Sequence, residues 1–275
     1  MVSDLSENDQ EIARYLFLSE LLRADWAQTD GPLRLRADLP LAALERASHF
    51  QNARTLLQML VEENGAPATA AGNLTRSFAG RMLEVMHMPD ISRESTRRFN
   101  RVINEADVRD LQLLREVCQM GGLVARRQKR FRATARARAL LADDQAGALY
   151  RHLFLTFFRK LDLRAVFYLR DVPGIQATLA VTLWRLDLLA RDWTPVRGLA
   201  ELVLLPLALE QLRAAMVSEY ETEEWILSGY VLEPLLDFGL IERQKGDKWP
   251  GLGEKDTIRL TPVWGRFLQF PLAPS

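Results

Sequence analysis

A chain of 275 residues, 48% hydrophobic and 26% charged, has the composition of a globular protein that can bury a substantial core. Its 36 basic and 36 acidic residues cancel, so the net charge alone points to no class of partner. A single cysteine, Cys118, excludes an intrachain disulfide, and the longest apolar run, residues 202–209, is too short to span a bilayer.

The N-terminal segment, residues 1–65, is predicted to be helical. It starts with acidic residues and has no basic region followed by an apolar run, so we expect no signal peptide, a cytoplasmic location and no membrane contact. A second helix is predicted from Pro40 to the stop at Asn64-Gly65. The residues expected to form the buried face of the first helix are Ile12, Tyr15, Leu16, Ser19, Leu22 and Trp26.

Basic charge gathers in the next segment, residues 66–143. Residues 76–138 hold 15 basic and 7 acidic residues, a net charge of +8, whereas the flanking segments are both net acidic. Helices are predicted at 75–86, 93–103 and 107–120, followed by two short strands and a final helix from residue 135. We interpret this segment as a basic module.

A helical connector, residues 144–172, is predicted to lead into a second module, residues 173–275. The helix before the hairpin of this module should be kinked or divided by Pro234. No basic residue occurs between positions 214 and 242. Carboxylates there include Glu221, Glu223, Glu224, Glu233 and Asp237.

The most informative pattern occurs twice. Gly122-Leu123-Val124 ends one apolar helical stretch and Gly239-Leu240-Ile241 ends another. Glycine accepts the left-handed conformation that stops a helix, and each stop precedes a strand, a turn, a strand and a threonine-capped helix, at Thr134 and Thr261. This order is the tail of a winged helix-turn-helix unit, and it predicts antiparallel hairpins at 122–134 and 239–261. The simpler interpretation is chance similarity between two ordinary helix–hairpin–helix segments.

The sequence therefore predicts a mainly α protein with two winged-helix-like modules, made of helices plus short β-hairpins and joined by helical segments. Residues 66–155 also resemble a family of uncharacterised bacterial proteins that often accompany a plasmid-type open-reading-frame domain of unknown function. The resemblance lies in Thr69-Ala70-Ala71-Gly72-Asn73-Leu74, in Leu113-Leu114-Arg115, in Gly122-Leu123-Val124, and in Thr134 with Leu140-Leu141. It implies a helical, winged-helix-like module without catalytic residues. The plasmid-type domain itself is not visible in the sequence.

Two arginine groups are candidate contacts for the phosphates of double-stranded DNA. Three arginines recur every four residues and are expected to share one helix face, while the first hairpin lies in an acid-free stretch, residues 123–138. The other interpretation is a solvated face, or pairing of these cations with the acidic flanking segments. The candidate nucleic-acid-binding residues are Arg93, Arg97, Arg101, Arg126, Arg127, Lys129, Arg130 and Arg132.

The helix that precedes each hairpin indicates a different role for each module. In the basic module the polar side chains of this helix are Arg109, Asp110, Gln112, Arg115, Glu116 and Gln119, of which arginine and glutamine can read base edges. The acidic helix of the second module would repel phosphates, so we expect it to bind a protein partner or to self-associate. The rival to DNA binding is a scaffold protein in which both modules bind proteins.

No pattern of catalytic residues is present, so we expect neither an enzyme nor a metal or cofactor. The three histidines, His49, His87 and His152, have no second ligand at metal spacing. Cys118 falls on the apolar face of its helix and is expected to be a buried thiol. The glycine-rich residues 246–256 lack the Gly-Lys-Ser/Thr ending and following helix of a phosphate loop.

Overall fold

The computed structural model describes residues 7–164, 171–246 and 251–274. The chain is mostly helical with a few short strands, as predicted. Its contacts divide it into two compact units: a central unit, residues 37–161, and a flanking unit, residues 1–36 together with 162–275. The four-segment division expected from the sequence stays a prediction. No helix in the described ranges is long and apolar enough to cross a membrane.

The first helix, α1 (Glu7–Arg23), buries a different face from the one predicted. Phe17 and Leu21 are buried, and Phe17 meets the ring of Trp184 edge-on at 5.2 Å. Apolar residues occur on several sides of α1, so periodicity alone could not select the face that packs against its tertiary neighbour. Trp26 is buried as expected, but the prediction is wrong for Ile12, Tyr15, Leu16 and Leu22, which are all exposed.

The central unit follows the predicted order with shifted boundaries. Strand β1 (Arg34–Leu35) precedes it, and α2 begins at Ser48 because the residues after Pro40 form a short 3₁₀ turn, Leu41–Leu44. Its elements are α2 (Ser48–Glu62), β2 (Ala66–Pro67), α3 (Arg76–Val85), α4 (Asp90–Phe99), α5 (Arg109–Met120), β3 (Val124–Arg127), β4 (Arg130–Ala133), α6 (Ala135–Leu140) and α7 (Ala146–Arg159).

The flanking unit repeats much of this order after the connector, part of which, residues 165–170, lies outside the described ranges. The elements are α8 (Pro173–Ala177), α9 (Leu179–Leu189), β5 (Thr194–Pro195), α10 (Leu199–Val203), α11 (Pro206–Ala215), α12 (Glu223–Leu227), α13 (Glu233–Asp237), β6 (Ile241–Gln244), β7 (Thr257–Leu260), α14 (Pro262–Phe267) and β8 (Leu268–Gln269). Strand β8 pairs with β1 in a small antiparallel ladder.

Both predicted glycine stops are confirmed. Gly122 has φ 70° and Gly239 has φ 69°. The next residue turns back in each case: the amide of Leu123 donates to Cys118 over 2.8 Å, and that of Leu240 donates to Leu235 over 2.9 Å. Both leucines are fully buried. This bond, from the third residue after the helix to the third-last helical carbonyl, is the Schellman arrangement that glycine permits.

Both predicted hairpins are also present, and each gains a third strand that the sequence did not reveal. Strands β3 and β4 are antiparallel, as are β6 and β7. The short strands β2 and β5 pair with β4 and β7, so the sheet orders are β2-β4-β3 and β5-β7-β6. In each sheet the strand from before the helices lies beside the last strand of the hairpin.

The predicted threonine caps differ from each other. The side chain of Thr134 accepts from the amide of Ala137 at the start of α6, as predicted. Thr261 makes no side-chain cap, so that prediction is wrong. The two hydroxyls do share one bond: that of Thr261 donates to the carbonyl of Gly239 over 2.7 Å, and that of Thr134 donates to the carbonyl of Gly122 over 2.9 Å.

Pro234 divides its helix as predicted. A π-helical turn, Ser228–Leu232, lies between α12 and α13, and Pro234 occupies the first turn of α13. Proline has no amide hydrogen to donate, and the wider turn absorbs that loss without ending the helical path.

Candidate nucleic-acid interface

The first hairpin, residues 124–133, has one buried face and one basic face. The strand register places Arg127 opposite Arg130 and Ala125 opposite Arg132. Successive side chains alternate between faces, so these four share the outer face, away from the fully buried Phe131. We call them the outer face of the basic hairpin. It carries three arginines and no acid.

The tip of this hairpin adds a fourth cation. Gln128 and Lys129 form the two-residue turn with φ 49° and 57°, the left-handed pair required by a tight hairpin of this type. Lys129 and Arg127 are exposed there. Arg126 lies against Gly72, where a Cβ would collide with its guanidinium. The tip therefore presents several cations within a few residues.

In the part of the chain that the structure describes, these cations have no acidic partner. Across the described residues, no carboxylate forms an ion pair with Arg126, Arg127, Lys129, Arg130 or Arg132. Arg130 does donate to the carbonyl of Gly65, which holds its guanidinium beside β2. Five of the eight predicted site residues are thus brought together on one hairpin.

The second hairpin has a similar register but a different charge pattern. Glu242 lies directly opposite Arg259 and accepts from its guanidinium over 2.5 Å. Arg243 pairs with the buried Asp256 at 2.7 Å. Lys245 and Lys255 are exposed, whereas Lys248 and Trp249, between them in the chain, lie outside the described residues. Both arginines of its strands are therefore matched by carboxylates.

The three remaining predicted arginines do not form one helix face. Helix α4 ends at Phe99, because Asn100 adopts an extended conformation, so Arg101 lies beyond it and the predicted shared face is wrong. Arg97 pairs with Glu84 of α3. Arg93 donates to the carbonyl of Met86 over 2.6 Å and is half-buried. Two of the three are thus engaged within the central unit.

Helix α5 offers fewer polar side chains than predicted. Arg115 is only 7% exposed, pairs with the buried Glu105 at 2.5 Å, and its guanidinium lies 5.3 Å from the ring centre of Phe131. It also donates to Gln119. The expectation that Arg115 reads base edges is therefore wrong, since its side chain ties α5 to the hairpin.

Glu105 is the important residue that sequence reasoning missed. Its second carboxylate oxygen accepts from the amide of Leu74 over 2.7 Å, so it links Arg115 to the loop after β2. The available signal was the capping box of Asn104 and Asp107, which marks a turn directly before α5. That box predicts a helix start but not a buried ion pair.

The cysteine and two of the histidines singled out in the sequence are packed inside the protein, wholly or in part. Cys118 is fully buried, as predicted, and burial raises the pKa of its thiol to about 12. Burial lowers the pKa of His49 to about 4. His152 lies 2.7 Å from the carbonyl of Gly121 through Nε2 and 3.1 Å from Arg136 through Nδ1. If Nε2 donates to the carbonyl, Nδ1 is left to accept from Arg136, and burial lowers the pKa of this ring as well.

Two glycines of the glycine-rich stretch contact a buried carboxylate, that of Asp256. Asp256 accepts from the amides of Gly246 and Gly253 over 2.8 and 2.7 Å. Burial by itself would raise the pKa of Asp256, but these hydrogen bonds and Arg243 outweigh it, so the pKa lies below its ordinary value. Within the described ranges no group of three or more histidine, cysteine or acidic residues is placed to hold a metal ion.

Residues 45–147 match the family model of the Y4jL N-terminal domain. The match includes α2 through α6 and therefore the basic hairpin and its supporting ion pair. It covers most of the stretch in which the sequence resembles uncharacterised bacterial proteins. Neither a curated protein nor a solved structure matches the chain.

Proposed function

We propose that the protein is a non-catalytic, double-stranded-DNA-binding protein whose basic hairpin contacts the phosphate backbone. The observation that carries this proposal is the outer face of the hairpin, where Arg127 lies opposite Arg130 without a carboxylate. Like charges directly opposite each other on a sheet destabilise it. A bound phosphate removes that penalty and releases counterions, which is the main source of affinity for nucleic acid.

The topology supports a winged-helix-like interpretation of both units. In each, a helix is followed by a two-residue strand, further helices and a hairpin whose last strand pairs with the first one. Each unit also has a buried glutamate at or just before the helix that leads to its hairpin, α5 or α12. Glu105 accepts from Leu74 over 2.7 Å, and Glu224 accepts from Gly198 over 2.9 Å, both in the loop after the short strand. We infer that the two modules share one plan, in which the hairpin is the wing.

The predicted binding mode is sequence-independent. Arg115 is engaged inside the protein, and Gln112 bonds to Glu116 over 3.1 Å, so α5 has few side chains free to read bases. Contacts to phosphates fix a protein on the duplex but carry no base information. We therefore propose a DNA-associated regulator, transcriptional or mobile-element, that depends on a partner or on DNA shape for its choice of site.

Salt-dependent binding to a short duplex tests this proposal. Alanine at Arg127, Lys129 and Arg132 should weaken binding to all sequences alike, and the slope of log affinity against log salt should fall by about 0.9 for each phosphate that is no longer neutralised. The matched control replaces Lys245 and Lys255, the exposed lysines of the other hairpin, and should change the slope little. If the wild-type protein fails to retain DNA at about 50 mM salt, where phosphate contacts are strong, the proposal is wrong.

The second candidate function is a protein-binding scaffold. It is favoured by the flanking unit, where the strand arginines are paired with carboxylates and the helix before the hairpin is acidic. Unchanged partner binding after removal of the hairpin cations, together with absent DNA binding, would support this alternative.

A further inference from the structure

The flanking unit has an acidic surface with exposed apolar side chains. Residues 199–227 contain six glutamates, of which only Glu224 is buried, and one basic residue, Arg213. Single exposed apolar residues are common, but several in one stretch of a globular protein indicate a binding surface. We call this stretch the acidic apolar surface. Its exposed apolar residues are Leu202, Leu207, Val217, Tyr220 and Trp225, of which Tyr220 is 86% exposed.

Ion pairs bring the parts of this surface together. Arg213 of α11 contacts Glu201 of α10 and Glu223 of α12, each at 2.5 Å. Glu221 accepts from the amide of Val217 over 2.9 Å, which folds the intervening loop back on itself. The one cation is therefore shared by two carboxylates, and the surface keeps a net negative charge.

Helix α4 of the central unit also exposes apolar side chains, but its charge is net basic, with three arginines against Asp90 and Glu94. None of its residues is buried, and its two large apolar side chains are mostly in water: Ile91 is 66% and Phe99 is 78% exposed. These two lie eight residues apart, about 80° around the helix, so they belong to one broad face. Arg98 lies beside it, 5.9 Å from the ring of Phe99. A ten-residue helix with no buried side chain is marginal in water, so covering this face would stabilise it.

We propose that the chain self-associates head to tail, with α4 of one copy docking on the acidic apolar surface of another. Apolar groups on both sides would be buried, and the exposed cations Arg98 and Arg101 would meet the glutamates. The basic hairpin fits this surface less well, because its apolar residues Val124 and Phe131 are already buried. DNA would use the α4 cations but leave Ile91 and Phe99 in water.

This contact joins two different surfaces, so each copy keeps one free face and can add a further copy. It is separate from the proposed DNA contact, since the hairpin takes no part in it. Electrostatic complementarity also makes it sensitive to salt, because contacts between exposed charges are screened.

Sedimentation velocity over a concentration series, without DNA, tests the proposal. The wild-type protein should sediment progressively faster than a monomer as its concentration rises, and less so at high salt. One variant, Ile91→Ser with Phe99→Ser, removes the α4 face, and another, Val217→Ser with Tyr220→Ser, removes the acceptor; each should remain monomeric. All four side chains are exposed, so the fold should be kept. Arg98→Glu gives a second test of the α4 face.

Mixing the two double variants is the decisive step. Each retains the face that the other lacks, so an equimolar mixture should form a dimer and nothing larger. Leu188→Ser, at an exposed apolar residue of α9, is the matched control and should associate like the wild type. A wild-type monomer at the highest attainable concentration would overturn the proposal. So would either double variant associating normally, or a mixture that stays monomeric.

Discussion

Ala125 offers a single-residue test of the charge pattern on the basic hairpin. It lies opposite Arg132, as Glu242 lies opposite Arg259 on the second hairpin, where the carboxylate and guanidinium are 2.5 Å apart. Ala125→Glu therefore copies the neutralised pattern of one hairpin onto the other. The position is half-buried and directly on the outer face, so the new carboxylate can reach Arg132 without rearranging the strands.

The change should affect DNA binding and stability in opposite directions. If all five hairpin cations bind phosphates, the salt slope should be about −4.5, and neutralising one cation should bring it to about −3.6. An opposite-charge pair across two strands should stabilise the fold by about 0.2–1 kcal/mol. Weaker binding with equal or greater stability is a combination that damage to the fold would not produce.

Fluorescence anisotropy of a labelled duplex across a salt series measures the first effect, and urea unfolding measures the second. Ala125→Gln is the matched control, because it adds similar bulk without charge and should leave the slope near the wild-type value. Equal losses of affinity for the glutamate and glutamine variants would show that bulk matters rather than charge. An unchanged slope for Ala125→Glu would refute phosphate binding by this face.

Three further predictions concern stability. Burial lowers the pKa of His49 from 6.5 in the unfolded chain to about 4 in the folded one. The free energy of unfolding should therefore fall by about 1.4 kcal/mol per pH unit as the pH drops between these values. His49→Gln should flatten that slope. Glu105→Ala leaves the buried Arg115 with the more exposed Glu116, 3.5 Å away, as its remaining carboxylate and should cost about 3 kcal/mol in urea unfolding. Gly147→Ala should destabilise by about 1–3 kcal/mol because its Cβ would lie 2.5 Å from the backbone nitrogen of Leu39, whereas Gly265→Ala, with open space around it, should stabilise by about 0.5–1 kcal/mol.

Each of these has a clear contrary result. If the free energy of unfolding falls as steeply with decreasing pH in the His49 variant as in the wild type, another group takes up the proton. A cost below about 1 kcal/mol for Glu105→Ala would mean that Glu116 or water compensates the charge of Arg115, since an uncompensated buried charge is far more expensive. Equal effects of alanine at Gly147 and Gly265, measured by thermal unfolding, would contradict the close backbone approach at Gly147.

Local signals explain what the sequence could predict of the fold. The glycine stops at Gly122 and Gly239 act through the conformation of one residue and a bond within one turn, so they predict both hairpins. The strands β2 and β5 could not be predicted, because two residues carry no periodic pattern. The buried face of α1 depended on Trp184, a residue far along the chain.

In the candidate site, too, local features could be predicted from the sequence and long-range contacts could not. The acid-free hairpin could be predicted from composition, and its cations do lie together. Arg115 resembled a surface residue because the helix pattern places it near polar neighbours. In the structure it is buried and forms an ion pair with Glu105, ten residues earlier in the chain. Arg101 followed the four-residue spacing of Arg93 and Arg97, but the helix ended first. Spacing predicts a shared face only as far as the helix continues.

The edges of the two three-stranded sheets bear on strand-to-strand aggregation. Each has a proline in its outer short strand, Pro67 in β2 and Pro195 in β5. Proline cannot donate a ladder hydrogen bond, so neither edge offers a full template for an incoming strand. The opposite edge of the first sheet, β3, carries adjacent arginines, which repel a second copy of the same strand. Growth into extended cross-strand fibrils is therefore resisted at these edges.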